Sequence, residues 1–369
     1  MKLETLLFSV LFLPVNKGCD NAQNGTSSTT TSSVSANQSD TSNQRTKFGI
    51  MVAKSEGQII PPEKQVKIAK DLGVHYIRGR VDVQGWDGSE PSYNVYTSAG
   101  MKVLLNLNYG VPRNGAGEHA PVPFPTDMTA YSKTLNAVLD KYKPEVVVIE
   151  NEEDNPNYHQ GTADDYINEL KTGIQVAHSK GLKVTNGGIT VREICLIIYD
   201  DLAQSGQKDK AASFAQKAFP ANFAARLSSG GDILRNPQVG RQVLFGRKII
   251  AAYKDLDLDY INFHWYEPVQ ARGKNIDKSS VNFDPSTFAY VVNYLREKTG
   301  KPVMTNEFGV LDPSADLVKN LLKAAKDANL SYAIFYSADG GEGKAIALQN
   351  AGGDLRDNGQ AFKDFVKQN

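Results

Sequence analysis

From residue 48 to the C-terminus, short runs of β-branched and other apolar residues alternate with segments whose apolar positions recur every three or four residues. Eight of the short runs read as strands, at 48–53, 75–82, 102–109, 145–152, 183–191, 259–267, 302–310 and 332–339. Four are entered through a helix end and a glycine: Asp71-Leu72-Gly73, Ser98-Ala99-Gly100, Ser179-Lys180-Gly181 and Lys298-Thr299-Gly300. Glycine there takes the left-handed conformation that closes a helix before the next strand. Between the strands, 63–72 carries Val66, Ile68, Ala69 and Leu72 at amphipathic spacing. Residues 126–142 open on a capping threonine and carry Tyr131, Leu135, Val138 and Leu139. Residues 164–179, 288–299, 314–328 and 354–367 behave likewise. The stretch 191–257 is too long for one helix; two or three are expected, with an insertion over the barrel mouth around 219–237.

Strands that alternate with helices form parallel βαβ units. Eight such units predict an α/β protein of the (β/α)₈ TIM-barrel type. The rival is an open, doubly wound sheet. That fold advertises a glycine-rich phosphate turn after its first strand, and Ala53-Lys54-Ser55-Glu56-Gly57 is not one.

The first 46 residues do not belong to this pattern. Lys2 precedes an apolar run with Leu6, Leu7, Phe8, Val10, Leu11, Phe12 and Leu13. The run is too short to span a hydrocarbon core of about 30 Å as a helix and suits the core of a signal peptide. Gly18-Cys19 follows, and the combination resembles a bacterial lipoprotein signal, which implies Cys19 as the lipidated residue. Residues 20–46 are Ser, Thr, Asn and Gln with almost nothing apolar. They cannot bury enough surface to offset their ordering entropy and are expected to be a disordered tether. The expected organisation is therefore a signal at 1–19, a linker at 20–46 and one domain at 47–369, exported and either secreted or lipid-anchored at the cell envelope.

Composition narrows the function. The 369 residues hold 41 Lys and Arg against 41 Asp and Glu, without the basic run that phosphate binding needs, so no nucleic-acid partner is expected. Two cysteines cannot make a disulfide framework, and no Cys/His group has zinc spacing. Cys195 sits among Ile194, Leu196, Ile197 and Ile198 and reads as a buried thiol. No cofactor or metal is expected, the only membrane contact expected is a lipid anchor, and a monomer is the default.

In a barrel of this type, reacting groups come from the C-terminal ends of strands. Those ends read Arg78/Arg80, Asn106/Asn108, Asn151-Glu152, His264/Tyr266, Asn306-Glu307 and Tyr336. Two strands, the fourth and the seventh, end in carboxylates. Glycosidic cleavage needs such a pair: one carboxyl to protonate the leaving oxygen, one carboxylate to attack the anomeric carbon. Their surroundings must hold the two protonation states apart, a task for Arg78 or His264.

These residues resemble the large clan of retaining (β/α)₈ glycoside hydrolases that carry catalytic glutamates on strands four and seven. The resemblance extends over 47–369. It implies Glu152 as acid/base, Glu307 as nucleophile, Asn151 as a ligand of the sugar 2-hydroxyl and Arg78 beneath the nucleophile. Asn262-Phe263-His264-Trp265-Tyr266 resembles the clan's His-x-Tyr, which implies His264 beside the acid/base and Tyr266 on Glu307. Asn108, Trp265 and Tyr336 complete the expected substrate contacts. The chain departs from the clan where strand three often ends in His, here Leu105-Asn106-Leu107-Asn108, and where strand eight usually supplies Trp, here Phe335-Tyr336-Ser337-Ala338-Asp339.

Alternatives stay open at several positions. Strand alternation puts Glu150 on the face of Glu152, which makes it the alternative acid. Arg78 and Arg80 share a strand face, and one of them is expected to be structural, pairing with a barrel carboxylate such as Asp82. Trp86 and Trp265 are sugar platforms or core residues, Tyr109 and Tyr158 are weaker candidates, and His119, His159 and His178 read as loop or helix surface. A glycan-binding protein on a degenerate barrel is the main alternative function. An aldolase-like barrel would want a buried lysine at a strand end, for which Lys54 is the one candidate.

Overall fold

The computed structural model describes residues 45–52, 60–110, 121–229, 235–271, 284–337, 346–350 and 352–369. The expected signal with Cys19, the linker up to residue 44, Lys54 and His119 lie outside these residues.

Eight parallel strands wind around one axis: β1 (Lys47–Met51), β2 (Tyr76–Asp82), β3 (Lys102–Asn108), β4 (Val146–Ile149), β5 (Val184–Asn186), β6 (Ile261–Glu267), β7 (Val303–Val310) and β8 (Tyr332–Tyr336). They pair in the order β5-β4-β3-β2-β1-β8-β7-β6, and bridges Thr185–Tyr260 and Ile189–Phe263 join the two ends. The fold is a (β/α)₈ barrel, and all eight strands form where the apolar runs placed them. The open-sheet alternative is excluded by this closure.

The surrounding helices are α1 (Pro62–Leu72), α2 (Pro91–Ser98), α3 (Met128–Lys141), α4 (Ala163–Ser179), α5 (Val191–Gln204), α6 (Lys208–Ala218), α7 (Ala221–Ser228), α8 (Pro237–Asp255), α9 (Pro285–Thr299), α10 (Ala315–Asp327) and α11 (Asp357–Gln368). Gly73, Gly100, Gly181 and Gly300 all have φ between 68° and 80°, the left-handed values expected before the strands. The start of α3 differs by one residue from expectation: Asp127 rather than Thr126 accepts from the Ala130 N–H and caps it. The 191–257 stretch holds four described helices, α5 to α8, instead of two or three.

Side chains alternate across each strand. The outward sets pack with the helices into the main core, and the inward sets stack in layers. Leu104, Val146, Val148, Met304 and Ile334 fill the lower interior. Below them the rings of Tyr76, Tyr260 and Tyr332 meet edge to face at 5.6 Å, rimmed by Lys47, Lys102, Lys183 and Glu145. Above the aliphatic layer the interior turns polar, with Asn106, Asn186, Asn262 and Asn306 all buried. Asparagine is disfavoured in strands and costly to bury without partners, so four of them in one closed barrel belong to a bonded network.

Candidate active site

The polar layer opens upward into a cleft of about 790 Å³ at the C-terminal end of the strands. Arg78, Asn108, Asn151, Glu152, Tyr266, Glu307 and Tyr336 line it, so seven of the nine residues expected there meet in one place. His264 lies directly beneath, with Nδ1 3.1 Å from Glu152 Oε1.

The fourth strand delivers its carboxylates by breaking its own alternation. β4 ends at Ile149, and Glu150 and Glu152 both adopt positive φ, 72° and 49°. The side chains from 150 to 154 therefore leave in different directions. Glu150 turns away from the cleft into the helix layer, where its Oε1 accepts from the Tyr109 N–H at 2.6 Å. Burial and the neighbouring Glu150 push the Glu169 carboxyl on α4 well above its ordinary range. Glu153 accepts from Asn186 and Tyr253, and Asp154 accepts from the N–H and hydroxyl of Thr190 at the start of α5. Only Glu152 of the four acids lines the cleft, which removes Glu150 as the alternative acid. The expectation that the two share a face assumed a regular strand.

Glu307 reaches the cleft through an irregular register between β6 and β7. Arg78 donates to its Oε2 and Tyr266 to its Oε1. Burial acts to raise its pKa, but the charges of His264 and Arg78 and the Tyr266 hydrogen bond prevail and hold it at about 2. Arg78 also donates to Asn151 Oδ1, which leaves the Asn151 NH₂ as the group to meet a ligand. Glu152 is held differently, by Asn155 Nδ2 at 2.7 Å from Oε2 and by His264 on the other oxygen. Burial lowers the His264 pKa, yet the Glu307 charge and the Glu152 hydrogen bond outweigh it and raise it overall. Tyr336 meets the Tyr266 ring edge to face at 5.9 Å, and of the two strand-two arginines it is Arg80 that pairs with Asp82, at 2.7 Å.

Two expectations are corrected. Trp265 stands between His264 and Tyr266 on β6, so alternation sends it out of the barrel. It is fully buried against Phe288, donates to Glu267 and cannot face a sugar. His159 is not surface: it lines the cleft, stacks on Phe124 with ring centroids 5.0 Å apart, and has Nε2 2.8 Å from the Asn151 carbonyl oxygen. Trp86 packs edge to face on Tyr142 and does not line the cleft. Cys195 is buried.

Tyr158, a weaker candidate from the sequence, lines the cleft, and residues that sequence reasoning passed over include Asn155 and a wall built by Gln65, Glu90, Tyr93 and Tyr96. The interior asparagines were missed as a set as well. Their signal was present, since an Asn inside each of four apolar strands is unusual.

Glu152, His264 and Glu307 each offer one ligand atom within 4.8 Å of the others, a spacing a metal ion would also accept. Their hydrogen bonds argue otherwise. Arg78, Tyr266 and Asn155 already donate to the carboxylates, and a cation there would face the Arg78 guanidinium. The arrangement suits proton transfer and nucleophilic attack.

No protein-family model matches the sequence, and no curated protein sequence matches it. Solved structures do match its fold. One is a family 39 glycoside hydrolase from the gut symbiont Bacteroides cellulosilyticus WH2, with 14% identity, a TM-score of 0.54, and 87% of this chain aligned to 63% of that one. This chain thus spans less than two thirds of that relative. A GH5-4 broad-specificity endoglucanase from Clostridium longisporum has 12% identity, a TM-score of 0.52 and coverage of 87% and 96%. A β-glucosidase from Exiguobacterium marinum has 11% identity, a TM-score of 0.50 and coverage of 88% and 98%. At such identities the likeness is one of fold.

Proposed function

We propose that this protein is a retaining glycoside hydrolase that cleaves O-glycosidic bonds of a poly- or oligosaccharide by double displacement. The observation that carries the reading is the pair Glu152 and Glu307. Their nearest oxygens lie within 4.8 Å across the barrel mouth, in opposite hydrogen-bond settings. Retaining enzymes hold their carboxyls about 5–5.5 Å apart, whereas inverting ones leave about 6.5–9.5 Å for a water.

The steps follow from the partners. Glu307, kept ionised by Arg78 and Tyr266, attacks the anomeric carbon as the bond to the leaving oxygen breaks, and Glu152 gives that oxygen a proton. Glu152, now a carboxylate, takes a proton from water, whose oxygen attacks the same carbon and frees Glu307. Asn151, its Oδ1 bound to Arg78, offers its NH₂ to a hydroxyl of the bound sugar. The names of the fold neighbours, an endoglucanase and a β-glucosidase, make β-glucans and aryl β-glycosides the first substrates to try.

The test is turnover by wild type, Glu307→Gln and Glu152→Ala on that panel. Loss in Glu307→Gln, together with formation of a glycosyl azide of retained configuration when azide is added to Glu152→Ala, supports both roles. Unchanged turnover in Glu307→Gln rules the assignment out. Glycan binding by calorimetry without turnover in any of the three would favour the non-catalytic glycan-binding alternative, toward which Tyr336 in place of a strand-eight Trp points.

Export belongs to the same proposal, supported by the apolar run before Gly18-Cys19. Incorporation of labelled palmitate into wild type and not into Cys19→Ser is expected; equal labelling of both would refute the lipid anchor.

A further inference from the structure

Arg78 can only donate hydrogen bonds, and that single fact sets the direction of a chain of bonds through the barrel interior. Its Nε lies 2.9 Å from an atom of the Asn106 amide, which must therefore be Oδ1; Asn106 Nδ2 then donates to the Glu150 carbonyl oxygen at 3.0 Å. The Asn306 atom 2.9 Å from Asn106 Oδ1 must in turn be Nδ2. Asn306 is left with Oδ1 toward His264, and that oxygen also accepts from Asn262 Nδ2 at 2.7 Å. Asn262 is fixed independently, since its Oδ1 accepts from the Asn306 backbone N–H at 2.9 Å. His264 Nε2, 2.9 Å from Asn306 Oδ1, has only an acceptor before it and must carry a hydrogen.

We propose that Asn306, oriented by Asn106 and Arg78, is a positioning residue that holds His264 in the Nε2–H tautomer, so that His264 Nδ1 and Glu152 Oε1 share a single proton. The proposal rests on Glu152 as the acid/base. With Nε2 protonated, a neutral ring presents a lone pair to Glu152 Oε1 at 3.1 Å, and an ionised Glu152 would present another. One proton between them relieves the repulsion. It sits on Nδ1 beside a carboxylate or on Oε1 beside a neutral ring, and moving from the first to the second disturbs no other hydrogen. Glu152 in the second form is the acid that the leaving oxygen needs. The other tautomer, Nδ1–H with a bare Nε2, would donate to Glu152 and keep it ionised.

The charged groups facing this ring are Glu152, Glu307 with Nδ1 3.9 Å from Oε1, Arg78 behind Glu307, and Glu153 from the helix side. Gly188, two residues beyond β5, lies against the ring: its φ is 117°, and a Cβ there would stand 2.5 Å from His264 Cδ2 and nearer still to Nε2. Only a residue without a side chain fits against this edge of the ring.

Two-bond ¹⁵N–¹H correlation spectra of wild type, with the His264 signal assigned by its loss in His264→Gln, test the tautomer without any substrate. Nε2–H with an unprotonated Nδ1 in the neutral ring is expected in wild type and in Asn306→Asp, which keeps the acceptor, and a mixture or Nδ1–H is expected in Asn306→Leu. Nδ1–H with an unprotonated Nε2 in wild type, or no change in a folded Asn306→Leu, overturns the proposal. The kinetic arm compares leaving groups. Asn306→Leu should lose roughly 100-fold in kcat on an alkyl glycoside, which needs protonation, and only a few-fold on a dinitrophenyl glycoside, which does not; equal losses on both overturn the proposal. Wild type that turns over no glycoside would count against the glycosidase reading alone, because the spectra still decide the tautomer.

Discussion

Arg78 on β2 and Glu307 on β7 form an ion pair across the barrel mouth, their side chains only 6% and 13% exposed. The same guanidinium holds Asn151 and Asn106, so one cation serves the carboxylate, a cleft-lining amide and the interior network. Replacing Arg78 by Met should lower stability by about 3–5 kcal/mol, the range for removing one partner of a buried pair. It should also raise the Glu307 pKa. A carboxylate held at about 2 instead of its ordinary 4.5 stabilises the fold fully above 4.5 and loses that contribution as pH falls toward 2. In Arg78→Met the acid limb of the kcat/KM profile should therefore move upward, which a pH series on an aryl glycoside measures; an unmoved limb would contradict the role of Arg78.

On Glu267 burial prevails, raising it to about 8 although Trp265 and Val269 donate to it. Asp154 is raised to about 7 by burial and by Glu153. Both carboxyls stay protonated in the folded chain where the unfolded chain ionises. Their contribution to stability is complete below pH 4 and declines through about pH 7 for Asp154 and pH 8 for Glu267. Urea unfolding should thus show less stability at pH 8 than at pH 5, and Glu267→Gln should flatten that slope. A slope identical to wild type would mean Glu267 is ionised in the folded state.

Gly188→Ala should displace the His264 ring while leaving the helix and strand framework intact. Activity is expected to fall at least 10-fold with an unchanged far-ultraviolet circular dichroism spectrum, the size expected when a catalytic geometry shifts by a fraction of an ångström. Wild-type activity in the variant would show that the ring has more space than the backbone there allows.

The tyrosine ring at the barrel bottom gives the converse case. Tyr332 OH accepts from Lys47 at 3.0 Å and donates to Glu145 at 2.9 Å, on the face opposite the cleft. Tyr332→Phe should cost about 1 kcal/mol in unfolding free energy and leave kcat and KM alone. A change in KM would tie the bottom face to the site.

The eight strands were legible because each is a short apolar run bounded by turn chemistry, and the four glycines marked where helices end. Glu307 and Glu152 were legible as carboxylates ending such runs. What could not be read was the backbone that aims them. The positive φ at Glu150 and Glu152 has no sequence marker, since neither is Gly or Asn, and the Trp265 assignment failed because an aromatic beside two site residues looks like a platform until strand alternation is applied. Asn155 escaped because it acts from a turn three residues beyond Glu152. The asparagine layer escaped because its members lie 44 to 200 residues apart along the chain.

Four acids stand within five consecutive positions, 150 to 154, and nothing in their chemistry distinguishes the one that faces the cleft. Two left-handed residues make the distinction. Which carboxyl faces the cleft is thus decided by the conformation of the backbone and not by the identity of the side chain. Replacing Glu150 by glycine would remove the steric cost of the first left-handed residue, because glycine adopts a positive φ freely, and leave that cost at residue 152 alone.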